Sequence, residues 1–324
     1  MIKAGNKYEK IRVEEILDLE KVAQRYGMTT EELLRFHNQH CNLHELLTLT
    51  LPKYTEFLYI PYDVFENYES KLLKNSTLAL PNTDSSKVYG ALVNFSPKNI
   101  RIHYKIKVER SSDNLEITKE KTYVNNQEID SVIEQLFEKA EQSLYPLKIV
   151  TKPNGSILSI ENAEEIKNRW KLKCFPELKE YYVSELADKI LSQLDEAFMS
   201  LKKESNLFFK NSIWYTLFFL PVYKGYTDFF YQDSVDIYIA ALMQNITYQI
   251  VYTLEKEYAD NKIIITITGQ EEDTIYNQHQ RKGQINLVYK LHKSTREIYS
   301  VAGVVSAFEK DKEHKIEFQL YELE

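Results

Sequence analysis

The feature that most limits what this chain can become is a change of hydrophobic period to two. Ile100, Ile102, Tyr104, Ile106 and Val108 alternate with Arg101, His103, Lys105 and Lys107, the pattern of a strand with one dry face. The last ninety residues repeat that pattern over 235–258, 262–270, 284–292, 297–307 and 314–322, and the breaks they contain are short and polar: Asp260-Asn261, Ser294-Thr295 and Asp311-Lys312. Short connections favour antiparallel neighbours. The spacing therefore predicts a meandering antiparallel sheet, and helical periodicity over 126–144, 162–172 and 177–204 supplies helices to pack on it. The longest of these carries one apolar stripe: Leu178, Tyr182, Leu186, Ile190, Leu194, Phe198 and Leu201. Asn154-Gly155 marks a hairpin turn.

The first 61 residues follow a different rule. Residues 8–13 read as a strand. Leu19, Val22, Ala23 and Tyr26 then fall at i, i+3, i+4 and i+7, with Asp18 placed to cap the helix and Gly27 to end it. Thr29 and Glu32 form a capping box ahead of Leu33, Leu34 and Phe36, and 57–60 reads as a strand closed by Pro61. Residues 62–87 contain Pro81, Asn82, Asp84, Ser85 and Ser86, which break regular structure. The expected domains are thus 1–61, a connector over 62–87 with a short helical turn near 68–73, and 88–324.

The residues Leu19-x-x-Val22-Ala23-x-x-Tyr26-Gly27, Thr29-x-x-Glu32-Leu33-Leu34-x-Phe36, His37-Asn38 and Leu58-x-Ile60-Pro61 give the N-terminal segment its character. With Val13 ending the first strand, it resembles a LysM module. The expected fold class is therefore α+β: an N-terminal βααβ LysM-like module, then a larger domain whose meandering antiparallel sheet packs on helices. The resemblance implies a bacterial binding protein without a cofactor, whose ligand is peptidoglycan or another GlcNAc-containing glycan. It places the ligand groove on the loops bearing Ile16, Leu17, Asp18, His37 and Asn38. Where the family typically has Gly-Asp-Thr before its first helix, this chain has Ile16-Leu17-Asp18; Ile16 puts a stiff β-branched residue where glycine is flexible. The loop after the second helix, 39–56, is also longer than usual. These departures support an alternative from another class, a cytoplasmic adaptor or structural component using the module for protein contacts. LysM-like modules occur in that setting in phage-tail and contractile injection assemblies.

Composition removes several other classes. The eight glycines stand at 5, 27, 90, 155, 225, 269, 283 and 303, no two within ten residues, so no glycine-rich phosphate loop or nucleophile elbow is present. A net charge of −7, with both signs well mixed, gives no nucleic-acid footprint. Cys41 and Cys174 cannot build a disulfide framework. The first 20 residues carry charge too densely for a secretory signal, and the most apolar run, 213–223, is far shorter than the ~20 residues that span a bilayer. The expected location is cytoplasmic, or that of a protein exported by a route not using an N-terminal signal peptide.

Candidate chemistry is sparse, and no catalytic motif is found. His37, His40, Cys41 and His44 would share one face if the second helix ran through them, and all four are zinc-competent; the plainer reading makes His37 and Asn38 a helix cap and Cys41 a small hydrophobe. Acidic patches at Glu14-Glu15, Glu161 with Glu164-Glu165, and Glu271-Glu272-Asp273 read as solvated helix starts and loop ends. Tyr248, Ile250, Tyr252 and Leu254 share a strand face, as do Leu287, Tyr289 and Leu291. They describe a sheet core, or a sheet curved around an apolar cavity, similar in element order to lipoprotein-carrier folds. Phe208, Phe209, Trp214, Phe218, Phe219, Phe229, Phe230 and Tyr231 form a dense aromatic group, expected in the core or, alternatively, as an exposed partner patch.

Overall fold

The computed structural model describes residues 7–13, 18–48, 55–112, 114–201, 207–273 and 281–323. The chain divides into two compact units, Met1–Lys74 and Asn75–Glu324.

The first unit runs β1 (Tyr8–Arg12), α1 (Leu19–Arg25), α2 (Thr30–His40), a 3₁₀ turn (Leu43–Glu45), β2 (Phe57–Pro61) and α3 (Tyr62–Lys71). β1 and β2 pair antiparallel. The Asp18 carboxylate accepts from Glu20 N–H at 3.2 Å to start α1, and Gly27 ends it with a φ of 68°. Thr29 Oγ1 accepts from Glu32 N–H at 3.2 Å while the Glu32 carboxylate accepts from Thr29 N–H at 2.8 Å. The bonds the Glu32 carboxylate accepts from the Thr29 N–H and hydroxyl hold it below its ordinary value. Leu19, Val22, Ala23, Leu33, Leu47, Leu58 and Ile60 form the core, and Phe65 of α3 packs against it, so a helix occupies much of what the sequence suggested was connector.

The second unit is built on one antiparallel sheet of 13 strands. Its first group is β3 (Ser85–Ser96), β4 (Ile100–Ser111), β5 (Asn114–Lys119), the short β6 (Tyr123–Val124) and β7 (Gln127–Glu128), then, after α4 (Val132–Gln142), β8 (Leu147–Thr151) and β9 (Ile157–Ile160). Helices follow: α5 (Ala163–Arg169), a π-helical turn (Trp170–Cys174), α6 (Phe175–Tyr181), α7 (Glu185–Met199), α8 (Leu207–Lys210) and α9 (Ile213–Phe218). The second strand group is β10 (Phe230–Ile239), β11 (Gln244–Leu254), β12 (Lys262–Glu271), β13 (Gln284–His292), β14 (Ile298–Glu309) and β15 (Lys312–Leu323). The spatial order is β10-β11-β12-β13-β14-β15-β3-β4-β5-β8-β9.

This corrects the expected fold class. Strand takes 42% of the described residues against 29% helix, and the sheet, not a LysM-like βααβ module, sets the class. Nor is the sheet a C-terminal meander only: β15 pairs with β3 from Leu323↔Val88 to Lys315↔Ser96, fusing both strand groups into one surface. Alternation within each strand is visible in sequence, but a pairing between residues more than 200 positions apart is not. Two boundaries also differ. The stretch 235–258 is a hairpin whose turn at 240–243 puts Met243 at a φ of 52°, without any glycine or proline to signal it. The single helix expected over 177–204 is broken between α6 and α7, where Ser184 Oγ accepts from Ala187 N–H at 3.0 Å and starts a new helix.

Two glycines sit in strands where neighbouring backbone leaves no room for a side chain. A Cβ on Gly303 would overlap the Asn286 carbonyl oxygen, and one on Gly269 would overlap that of Gln249. Such close approaches accompany sharp bending of a sheet. Gly303→Ala is expected to cost about 1–3 kcal/mol, read as a lower urea midpoint for the second unit; an unchanged midpoint would contradict the close approach.

Candidate functional site

Both edge strands of the second unit approach the same helix. Ile157 of β9 and Asp236 of β10 line one depression together with Tyr215 and Phe219. The sheet therefore curls around α9 so that both of its edges, which do not pair with each other, come up against that helix. The curled interior is filled by the chain itself: Trp214, Leu217, Phe218 and Phe219 are buried. Phe218 meets Tyr89 of β3 edge-on at 5.8 Å, and Tyr289 Oη of β13 donates to the Leu217 carbonyl at 2.7 Å. The void left between Tyr89, Arg110, Phe218, Tyr223 and Glu297 is about 20 Å³, the room of one water. The aromatic group of the sequence thus divides, its middle forming core while Phe230 and Tyr231 are exposed.

Open space lies instead among the helices. α4 is tied to the sheet by Glu141, whose carboxylate accepts from Lys119 Nζ of β5 at 2.6 Å and from Tyr145 Oη at 3.3 Å; Tyr145 in turn bonds Tyr215 of α9. Arg169 at the end of α5 donates to the carbonyls of Ser143, Leu144 and Pro146, each at 3.1 Å. It thereby satisfies acceptors that the end of α4 leaves open. Trp170 then fixes α7, its Nε1 donating to Asp195 Oδ1 at 2.8 Å and its ring stacked on Phe198 at 4.2 Å. A π-helical turn between α5 and α6 presents these side chains; such turns are rare and recur at functional sites.

With α4 and α7 held this way, an apolar groove runs between them. One depression of about 270 Å³ is lined by Val132, Ile133, Leu136, Tyr181, Val183, Leu186 and Ile190. A second, of about 340 Å³, shares Ile190 and continues past Phe137, Leu194 and Phe208. Its apolar walls are open to solvent: Val132 is 62% exposed, Phe137 47%, Tyr181 72%, Val183 85% and Leu186 56%. Isolated exposed apolar residues are ordinary, whereas a contiguous group marks a contact surface.

The residues singled out in the sequence lie elsewhere. Ile16 and Leu17 fall outside the described residues, as do Glu14, Glu15 and 49–54 of the loop after α2. Asp18 is the cap of α1. His37 is fully buried, its Nδ1 accepting from Tyr59 N–H at 3.1 Å and its Nε2 bonded to the Glu45 carbonyl at 2.9 Å. Asn38 makes two 2.8 Å bonds to the Leu47 backbone, one to its carbonyl and one from its N–H. Both side chains thus face inward and pin the segment after α2.

The proposed zinc set is not assembled. α2 ends at His40, Cys41 turns into extended backbone, His40 bonds the Phe36 carbonyl, and His44 points to solvent on the 3₁₀ turn. Burial also pushes the Cys41 thiol above its ordinary value, and no cluster of three or more metal-competent side chains occurs among the described residues. Glu164 and Glu165 occupy the first turn of α5, while Glu271 ends β12.

Sequence reasoning missed the groove because 177–204 read as one buried stripe. Two signals marked it. Ser184-Glu185 is a helix start inside that stripe, and Val132, Ile133, Leu136 and Phe137 cover a wider arc of α4 than one buried face needs.

No family model matches the chain. No curated protein matches it either. Among solved structures it is similar to one titled for lipid–protein interactions in lipovitellin, with a TM-score of 0.37 and 10% identity over 75% of this chain. The chain spans 25% of that protein's length. Among the described residues no helix is long and apolar enough to cross a membrane.

Trp170→Ala removes both the stack on Phe198 and the bond to Asp195. It is expected to cost about 3–5 kcal/mol in urea unfolding, and Trp170→Phe less than half of that. Equal losses in the two variants would show that the ring stack is not what holds α7.

Proposed function

We propose that this chain acts by binding rather than catalysis, as an adaptor or structural component that holds a protein partner in the α4–α7 groove. The observation that carries this reading is the contiguous apolar surface from Val132 and Ile133 through Leu186 and the half-buried Ile190 to Phe137, on α4, tied to the sheet through Glu141, and α7, held by Trp170. A rigid groove loses little conformational freedom on binding, so its apolar area converts into affinity efficiently. Asp at Ile190 or Phe137 would place a charge in the middle of this surface, with the fold checked by far-ultraviolet circular dichroism. Either variant is expected to retain at most about a tenth of the partner that co-purifies with the wild-type chain from its native host; undiminished co-purification with both variants would contradict the assignment.

The glycan reading, implied by resemblance of the first unit to LysM modules, is the competitor. His37 and Asn38 spend their polar atoms on the unit's own backbone, which supports the protein-contact alternative. In co-sedimentation with purified peptidoglycan at micromolar concentration, the full chain is expected to stay in the supernatant. Saturable pelleting would return the function to the first unit.

A further inference from the structure

The charge around the groove narrows what it can hold. α4 and α7 together carry seven carboxylates, Glu134, Glu138, Glu141, Glu185, Asp188, Asp195 and Glu196, against only Lys139 and Lys189. That excess of five compares with a net charge of −7 for all 324 residues, so most of the imbalance of an otherwise well-mixed chain is concentrated on the two helices that wall the groove.

Three of these acids have structural partners: Glu141 takes Lys119, Glu138 accepts from Thr122 N–H, and Asp195 accepts from Trp170. Glu134, Glu185, Asp188 and Glu196 are exposed and form no ion pair among the described residues. By the helical period Glu134 lies one turn before Phe137 on α4, while on α7 Glu185 and Glu196 share one margin, with Lys189 between them and the stripe of Leu186 and Ile190. Of the two lysines, Lys139 lies over the Tyr181 ring at 5.1 Å.

Resting on the reading of the groove as a protein-docking site, we infer that its occupant is a basic amphipathic helix: an apolar stripe seated between α4 and α7, with Lys or Arg along both margins facing the acidic rims. From Leu186 to Ala197 the wall is roughly 17 Å long, enough for about three turns of a partner helix. Apolar anchors at helical spacing supply affinity, and the rim charges select the partner and raise its association rate. The same rim repels an anionic membrane surface.

The test uses the full chain and two synthetic helical peptides of about 14 residues, one of Leu and Lys with a single apolar face, the other identical but with Glu for Lys. Fluorescence anisotropy is expected to show binding of the Lys peptide alone, weakened at least tenfold between about 50 mM and 500 mM salt. The triple reversal Glu134→Lys, Glu185→Lys, Glu196→Lys is expected to weaken it about tenfold or more and to admit the Glu peptide. Ile190→Asp and, at a fully accessible position, Val183→Asp are expected to abolish binding. If both peptides bind equally and are lost in the Asp variants, charge selection is overturned while the docking groove stands. If neither Asp variant weakens the Lys peptide, the groove reading falls with it. Failure of the Lys peptide to bind, or binding of the chain to anionic phospholipid vesicles in its place, overturns the basic-helix assignment.

Discussion

The pairing of β15 with β3 is the contact on which the second unit depends. Nine residue pairs join the last strand of the chain to the first strand of the unit, and without them the two strand groups would be separate sheets, each with a new open edge. Side chains reinforce the seam. Glu322 of β15 accepts from Lys87 of β3 and pairs with His292 of β13. Burial opposes the charge on Glu322, but the bonds from His292 and Lys87 outweigh it and hold the carboxyl below its ordinary range. This contribution is present above the ordinary carboxylate pKa and is lost as pH falls through the lowered one.

That seam decides where the helices go. Residues 161–229 lie in sequence between the strand groups, so fusing the groups sets α9 against the curled face of the sheet, while α4, from within the first group, reaches α9 through the bond between Tyr145 and Tyr215. The interior is then closed by Trp214, Leu217 and Phe218, and the tyrosines that read as a possible ligand cavity, Tyr248, Tyr252 and Tyr289, are core residues bonded or packed against the chain itself. Burial pushes all three hydroxyls above their ordinary pKa.

Local structure was legible in the sequence because it depends on nearest neighbours. Asp18, Gly27, and the Thr29–Glu32 box terminate helices through contacts within four residues, and the alternation of Ile263, Ile265 and Ile267 marks a dry face whatever lies beside it. What could not be read depends on distance along the chain: the β15–β3 partnership, the curl around α9, and the choice of which apolar residues to bury. Leu186 and Ile190 belong to the same stripe as Leu194 and Phe198, yet the break at Ser184 starts α7 afresh and Leu186 is left 56% exposed. His37 and Asn38 show the converse case. Polar side chains at positions where a resemblance implies ligand contact are consumed by the fold, as bonds to Glu45, Leu47 and Tyr59.

The central claim is that this chain works through the α4–α7 face of its second unit. Hydrogen–deuterium exchange of the full chain, alone and with the partner that co-purifies from its native host, tests it most directly. The account predicts new protection confined to 132–142 and 181–197, with the strands unchanged. Protection on the first unit, or along β9 and β10, with none in those helices, would contradict it.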